Sequence, residues 1–206
     1  DLKILGLWGN KMEQLLTGNV ATNLYWFGRY LERIESILLE VVPAFDTIID
    51  IDKDYGKKLY QKLEIEIDYK SPKEFLNVAL FSNHPANINT LMEFVRENAI
   101  ICRADMYTSA FGSVMELADL IKKEKNTSQV EFRFIDKVLA LISEIWGELT
   151  RREKRNTSDY FIRLGKLVEK VDSHLILERN KNFSLVVMDE IDTIASILSP
   201  DAKFKP

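Results

Sequence analysis

The chain is poor in the residues on which several structural and chemical classes depend. Its 206 residues include one cysteine, two histidines, eight glycines and five prolines. A single cysteine, Cys102, excludes a disulfide within the chain and is typical of a reducing compartment, so we expect a cytoplasmic protein. Because glycine and proline are few and the apolar residues do not alternate, sandwiches and barrels are disfavoured.

Long apolar runs and an excess of basic residues are also missing. No run approaches the roughly 20 apolar residues that cross a bilayer, because Glu40 and Pro43 interrupt the most apolar stretch. A net charge of −4 disfavours a nucleic-acid binder, since phosphate neutralisation requires a concentrated basic face. The one basic cluster, residues 151–155, is predicted to face a helix C-terminus. We therefore expect neither a membrane nor a nucleic acid as partner.

The sequence also has few residues of the kinds that bind metals and cofactors. A ferritin-like site requires two Glu-x-x-His pairs, and neither His84 nor His174 has a glutamate three residues before it. Zincin and glycine-rich phosphate-loop motifs do not occur in the sequence. Cys102 lies on an apolar helical stripe, which predicts a buried, inert thiol. We expect no metal and no cofactor.

Helical periodicity is what the sequence has in abundance. Apolar residues recur in alternating steps of four and three from Val20 to Ile48, which predicts one long helix kinked at Pro43. Ser71, followed by a proline and then a glutamate, predicts the start of a short helix ending near residue 81. Further helices are predicted within residues 1–16, 55–67, 88–123 and 185–198. Two more are predicted from cap signals: one from a capping box at Ser128 and Glu131 to about residue 149, and one from a cap among residues 157–159 to residue 179. These patterns predict an all-α, antiparallel helical bundle that forms a single domain over residues 1–206.

Two of these helices repeat each other at an offset of 137 residues. Residues 27–36 read FGRYLERIES and residues 164–173 read LGKLVEKVDS, so glycine and the sign of every charge recur. A glycine in mid-helix costs about 1 kcal/mol relative to alanine. Its presence in both copies, as Gly28 and Gly165, predicts close approach of another backbone, a side chain or a ligand. We expect an internal pseudo-repeat whose two motif helices meet.

Three segments resemble the Alpha-E family, bacterial helical proteins named for a Glu-Arg motif. NLYWFGRYLERIES at 23–36 is similar to the family signature, RENAIICR at 96–103 to its central motif, and DYFIRLGKLVEKVDS at 159–173 to its second Glu-Arg copy. Two positions depart from the pattern: Lys170 and Ile100 stand where arginine is usual. Because lysine lacks the planar fork of arginine, we expect a weaker grip on carboxylate or phosphate in the second copy.

The resemblance implies association with ATP-grasp ligase-like and transglutaminase-like proteins in peptide or amide-bond modification. The first interpretation is a non-catalytic helical partner or ligand-binding component, with an ATP-grasp-type ligase or transglutaminase-like protein as its partner. The alternative is an enzyme using Glu32 or Glu169 as acid or base, although the sequence identifies no catalytic residue. The motif charges either pair within the bundle and fix its register, or bind an anionic or peptide ligand. The candidate ligand-binding residues are Arg29, Glu32, Arg33, Arg96, Glu97, Arg103, Lys166, Glu169 and Lys170.

Overall fold

A computed structural model describes residues 16–127, 129–151, 156–178 and 181–199. Within these ranges the chain forms eight α-helices and no strand, which confirms the predicted all-α class. The helices are α1 (Gly18–Asp50), α2 (Tyr55–Lys62), α3 (Pro72–Phe81), α4 (Ile88–Ile101), α5 (Thr108–Lys125), α6 (Phe132–Thr150), α7 (Thr157–Ile176) and α8 (Lys181–Leu198). The predictions for a helix before residue 16 and for residues 152–155 fall outside the described residues. Ser128 also lies outside them, but its predicted capping box with Glu131 is wrong, because α6 begins at Phe132 with Glu131 as the N-cap.

The predicted helix over 88–123 is wrong, because the chain breaks between α4 and α5. A 3₁₀ turn, Arg103–Asp105, follows α4, and Met106 then adopts an extended conformation. Ala99, Cys102, Met106 and Ala110 are all buried, so apolar spacing of three or four residues continues across the break. Periodicity therefore could not reveal it.

Helix ends are also corrected in α2, α7 and α8. α2 stops at Lys62 rather than 67, where Glu64 takes a left-handed conformation with φ of 59° and the Ile65 N–H bonds back to the Tyr60 carbonyl. α7 is capped by Asn156, one residue before the predicted cap, in a reciprocal capping box with Asp159. It ends at Ile176 rather than 179, and α8 begins at Lys181 rather than 185.

The predicted cap of α3 is confirmed. The Ser71 hydroxyl accepts a hydrogen bond from the Glu74 N–H at 3.2 Å. The Glu74 carboxylate reaches one residue further back than in a standard capping box, accepting from the Lys70 N–H at 2.8 Å. The cap fixes where α3 starts and so places its buried face, which includes Phe75 and Leu80, against the core.

α1 is the central helix, and its predicted stripe forms the core. Leu24, Phe27, Leu31, Ile34 and Leu38 are fully buried. The helix continues through Pro43 to Asp50. Cys102 is buried against this stripe, with its Sγ 3.6 Å from the Val20 carbonyl oxygen, and burial raises the pKa of its thiol to about 11. The thiol is therefore protonated at neutral pH, as an inert core cysteine should be.

α4 packs antiparallel to α1. The Phe94 ring of α4 contacts the Tyr30 ring of α1, while Cys102, later in the chain, reaches Val20, earlier in α1. By contrast, α1 and α7 run in the same direction: Tyr25 meets Gly165, and further along both helices Ser36 and Ser173 line one cavity. The motif helices are thus a parallel pair within the bundle. No helix of the described residues is both long and apolar enough to cross a membrane.

Candidate functional site

The two motif helices touch through their glycines. A Cβ added at Gly28 would overlap the Ile162 carbonyl oxygen and lie 3.0 Å from the Lys166 amide nitrogen. A Cβ added at Gly165 would overlap the Tyr25 carbonyl oxygen and lie 3.1 Å from the Arg29 amide nitrogen. These contacts correspond pairwise under the 137-residue offset. The glycines therefore allow backbone-to-backbone contact, and this places the motif charges of one helix beside those of the other. Beyond this crossing, the internal pseudo-repeat of the two segments stays a prediction.

On one side of the crossing lies a tightly bonded group, the arginine half, formed by Arg29, Arg33, Glu169 and Asp172. The Glu169 side chain is almost completely buried. Its Oε1 accepts from Arg33 Nε at 2.6 Å, and its Oε2 accepts from Arg33 Nη2 at 2.9 Å and from Arg29 Nε at 2.8 Å. Arg29 also pairs with Asp172 through Nη2. The forked guanidinium geometry therefore ties α1 to α7 by several directed bonds.

Arg29 has additional support from aromatic side chains. Its Nη1 donates to the Tyr25 hydroxyl at 3.3 Å, and its guanidinium carbon lies 5.5 Å from the Trp26 ring centroid. Burial alone would lower the pKa of Arg29, but the hydrogen bonds to Glu169 and Tyr25 raise it above its usual value. Arg29 is therefore a permanently charged, well-anchored member of the network.

The other side, the lysine half, contains Lys166, Lys170, Glu32 and Glu35, and the ion pairs of Lys166 in it are long. Lys166 Nζ lies 3.7 Å from Glu32 Oε2 and 4.0 Å from Glu35 Oε2, both beyond hydrogen-bond distance. Glu32 is only 5% exposed, and its Oε2 is buried without a hydrogen-bond partner among the described residues. A buried acceptor left unbonded is energetically costly. Lys166 therefore holds Glu32 more loosely than the two arginines hold Glu169, and the weaker grip expected at Lys170 stays a prediction.

Burial shifts the pKa values of Glu32 and Lys166 in the lysine half. Desolvation raises the pKa of Glu32 from 4.5 to about 7, an effect that Glu35 increases and that Lys166 and Lys170 oppose. Burial likewise lowers the pKa of Lys166, against the attraction of Glu32 and Glu35. Both shifts favour the neutral form, which is the expected response of charged groups that lack short hydrogen bonds in a buried site.

Trp146 of α6 completes the lysine half, and no motif in the sequence pointed to it. Its Nε1–H donates to Glu35 Oε2 at 2.8 Å, and Lys166 Nζ lies 3.8 Å from its ring centroid. The ammonium group is thus held between an indole face and two carboxylates. Glu35 and Asp172 were omitted from the candidate residues, although the repeat aligns them with each other and could have identified both.

Three of the candidate residues lie away from this network. Arg96 and Glu97 are exposed on α4, and Arg103 is exposed in the turn after it, with its guanidinium carbon 5.0 Å from the Phe111 ring centroid. The structure brings together the other six, Arg29, Glu32, Arg33, Lys166, Glu169 and Lys170. Arg163 is engaged elsewhere, in an ion pair with Glu190 of α8.

A cavity lies on each side of the network. One, of about 130 Å³, lies beside the arginine half and is lined by Arg33, Glu169, Ser36, Ser173 and apolar side chains from α1, α2 and α7. The other, of about 230 Å³, lies beside the lysine half between α6 and α7. Among the described residues, no group of three or more histidine, cysteine, aspartate or glutamate side chains is arranged to hold a metal ion.

The geometry defines a helical domain whose Glu-Arg motif is built into a helix crossing. The sequence model of the Alpha-E family, described as a predicted alpha-helical domain with a conserved ER motif, matches residues 16–199. The chain therefore belongs to the Alpha-E family. No curated protein and no solved structure gives a significant match.

Proposed function

We propose that this domain is a non-catalytic helical binding partner in a peptide or amide-bond modification system, and that it binds an ATP-grasp-type ligase or a transglutaminase-like protein. The observation that carries the non-catalytic part is the arginine half. The Glu169 carboxylate is bonded on both oxygens by Arg29 and Arg33, so the motif's own groups satisfy it. Such a network fixes the register of α1 against α7 and leaves its carboxylate poorly placed to exchange protons with a substrate.

The surface of α8 supports the partner role. Leu185, Val186 and Met188 are exposed on this helix, Val186 to 68%. Clustered apolar side chains on a surface mark sites of protein association. The nature of the partner rests on the association with ATP-grasp and transglutaminase-like proteins that the family resemblance implies.

A direct binding measurement tests this proposal. The purified domain is titrated calorimetrically with the ATP-grasp-type ligase encoded nearest to it. We expect a stoichiometric complex whose affinity falls at least tenfold in Val186→Glu and Met188→Glu. Ile101→Glu, on α4, changes an apolar side chain that is 51% exposed and serves as the matched control. No complex with the ligase or with a transglutaminase-like neighbour, or equal losses in all three variants, would contradict the proposal.

One observation favours the alternative of an enzyme in its own right. A pKa of about 7 for Glu32 lies in the range useful for general acid–base catalysis. However, Glu32 is not among the described residues that line either cavity beside the network. Catalytic turnover of a peptide substrate by the isolated domain, lost in Glu32→Gln, would establish the enzyme and displace the partner role.

A further inference from the structure

The cavity beside the lysine half lies where the arginine half has a bonded tyrosine. Arg29 donates to the Tyr25 hydroxyl, whereas the residue at the offset position, four before Lys166, is Ile162. Isoleucine has no hydroxyl to accept a bond from Lys166. Ile162 and Lys166 instead both line the cavity of about 230 Å³. At this position the lysine half thus lacks the acceptor that the arginine half has.

The walls of this cavity define what could fill it. Leu149, Ile162 and Leu167 supply apolar surface, and the Trp146 indole borders the same space. Its volume exceeds the roughly 150 Å³ of a dry cavity that holds benzene. The cavity therefore has room for one aromatic or branched aliphatic group.

The polar part of the cavity lining consists of Lys166, Arg163, Asp159 and Thr150. Lys166 Nζ pairs with Glu32 and Glu35 only at 3.7 and 4.0 Å, so its N–H groups can turn to a closer acceptor. Arg163, also in the lining, is already paired with Glu190, and Asp159 accepts the Asn156 N–H at the start of α7. With one lysine available and several carboxylates nearby, a monoanion is electrostatically tolerated better than a dianion.

We propose that this cavity between α6 and α7 binds a small carboxylate with an aromatic or branched aliphatic body, its carboxylate accepting from Lys166. The body packs against Leu149, Ile162 and Leu167 and lies beside Trp146. This site is separate from the outer surface of α8 and does not depend on the partner role.

Phenylacetate is a suitable probe, and phenylacetamide is its neutral counterpart. Binding is followed by the chemical shift of the Trp146 indole N–H in a nitrogen-15 NMR titration of the full chain. We expect a saturable shift with phenylacetate, at least tenfold weaker binding of phenylacetamide, and weaker binding of acetate, which lacks the body. Equal affinity for phenylacetate and phenylacetamide would overturn recognition of the carboxylate. Equal affinity for acetate and phenylacetate would overturn recognition of the apolar body.

Two variants test the assignment to these residues. Lys166→Met removes the donor and should weaken phenylacetate binding at least tenfold, while Lys123→Met, an exposed change on α5, should leave it unaltered. Ile162→Tyr fills the cavity and supplies a hydroxyl in place of the ligand. Phenylacetate binding should therefore be lost, while the amide NMR spectrum remains that of a folded protein. If Lys166→Met keeps wild-type affinity, or if phenylacetate causes no saturable shift in the wild-type chain, the site is not there.

Discussion

The arginine half and the lysine half of the network have the same charges at corresponding positions and behave differently. In the arginine half, Glu169 accepts three hydrogen bonds from guanidinium groups. In the lysine half, Glu32 is as deeply buried, yet its Oε2 has no hydrogen-bond partner among the described residues. The difference shows that the sign of a charge does not determine how well a buried carboxylate is satisfied. What matters is the shape of the donor, because a planar fork spans two oxygens and an ammonium group does not.

The largest effects are expected where both halves depend on the same feature, the glycine crossing. Gly28→Ala and Gly165→Ala each place a Cβ on a backbone carbonyl of the other helix, which α1 and α7 relieve only by moving apart. We expect each to lower the free energy of unfolding by about 3 kcal/mol or more, measured by urea denaturation.

Gly112 in α5 provides the control for this pair. A Cβ there meets nothing within 4 Å, so Gly112→Ala should be neutral or should stabilise the domain by up to about 1 kcal/mol. If Gly28→Ala behaved like Gly112→Ala, the close crossing that builds both halves would be wrong.

The next largest effect separates the halves. Glu169→Gln removes the charge that holds Arg29 and Arg33, and breaking a buried pair from one side costs about 3 kcal/mol or more. We expect thermal melts of this variant to show clear destabilisation at pH 8. A melting temperature equal to that of the wild type would show that the hydrogen bonds of the arginine half contribute no stability.

Glu32→Gln should have the opposite sign and a distinct pH dependence. The folded pKa of Glu32, about 7, is above its ordinary 4.5. The stability linked to Glu32 is therefore fully present below pH 4.5 and is lost as the pH rises through 7. Glutamine does not ionise, so the variant should exceed the wild type at pH 8 by up to about 3 kcal/mol.

Measurement at a second pH identifies the cause. At pH 5 most of the folded wild-type carboxyl is already protonated, so the advantage of Glu32→Gln should shrink to about 1 kcal/mol or less. The two stability curves, from urea denaturation at each pH, should converge as the pH falls. A constant difference between pH 5 and pH 8 would be incompatible with an unsatisfied, titrating Glu32.

The smallest effect comes from exchanging the donors. Lys166→Arg offers Glu32 the guanidinium that Arg29 offers Glu169, and one added charge-assisted hydrogen bond should stabilise the domain at pH 8 by about 1.5 kcal/mol. Arg29→Lys is the reciprocal change and should destabilise it. Equal and negligible effects of both exchanges in urea denaturation would mean that donor shape is not what distinguishes the halves.

Much of this crossing could be predicted from the sequence, and the limits have physical causes. The all-α class and the α1 stripe follow from apolar periodicity, and the paired glycines indicated the close approach at Gly28 and Gly165. The break at Cys102 could not be predicted, because buried spacing persists through it. Nor could Trp146 be predicted, since its role depends on how α6 packs beside Lys166. Arg96 and Arg103 lie on one helical sequence pattern, but a position in a pattern does not specify which face meets α7.

The most direct test of the difference between the halves is the ionisation of Glu32 itself. The side-chain carboxyl carbon of Glu32 is followed from pH 4 to pH 9 by NMR in protein labelled with carbon-13 at glutamate, with Glu32→Gln used to assign the signal. We predict a midpoint near the value of about 7 that burial imposes, and a midpoint that falls in Lys166→Arg. A midpoint near 4.5 in the wild-type protein would show that the lysine half satisfies its carboxylate as well as solvent does, and would contradict the account.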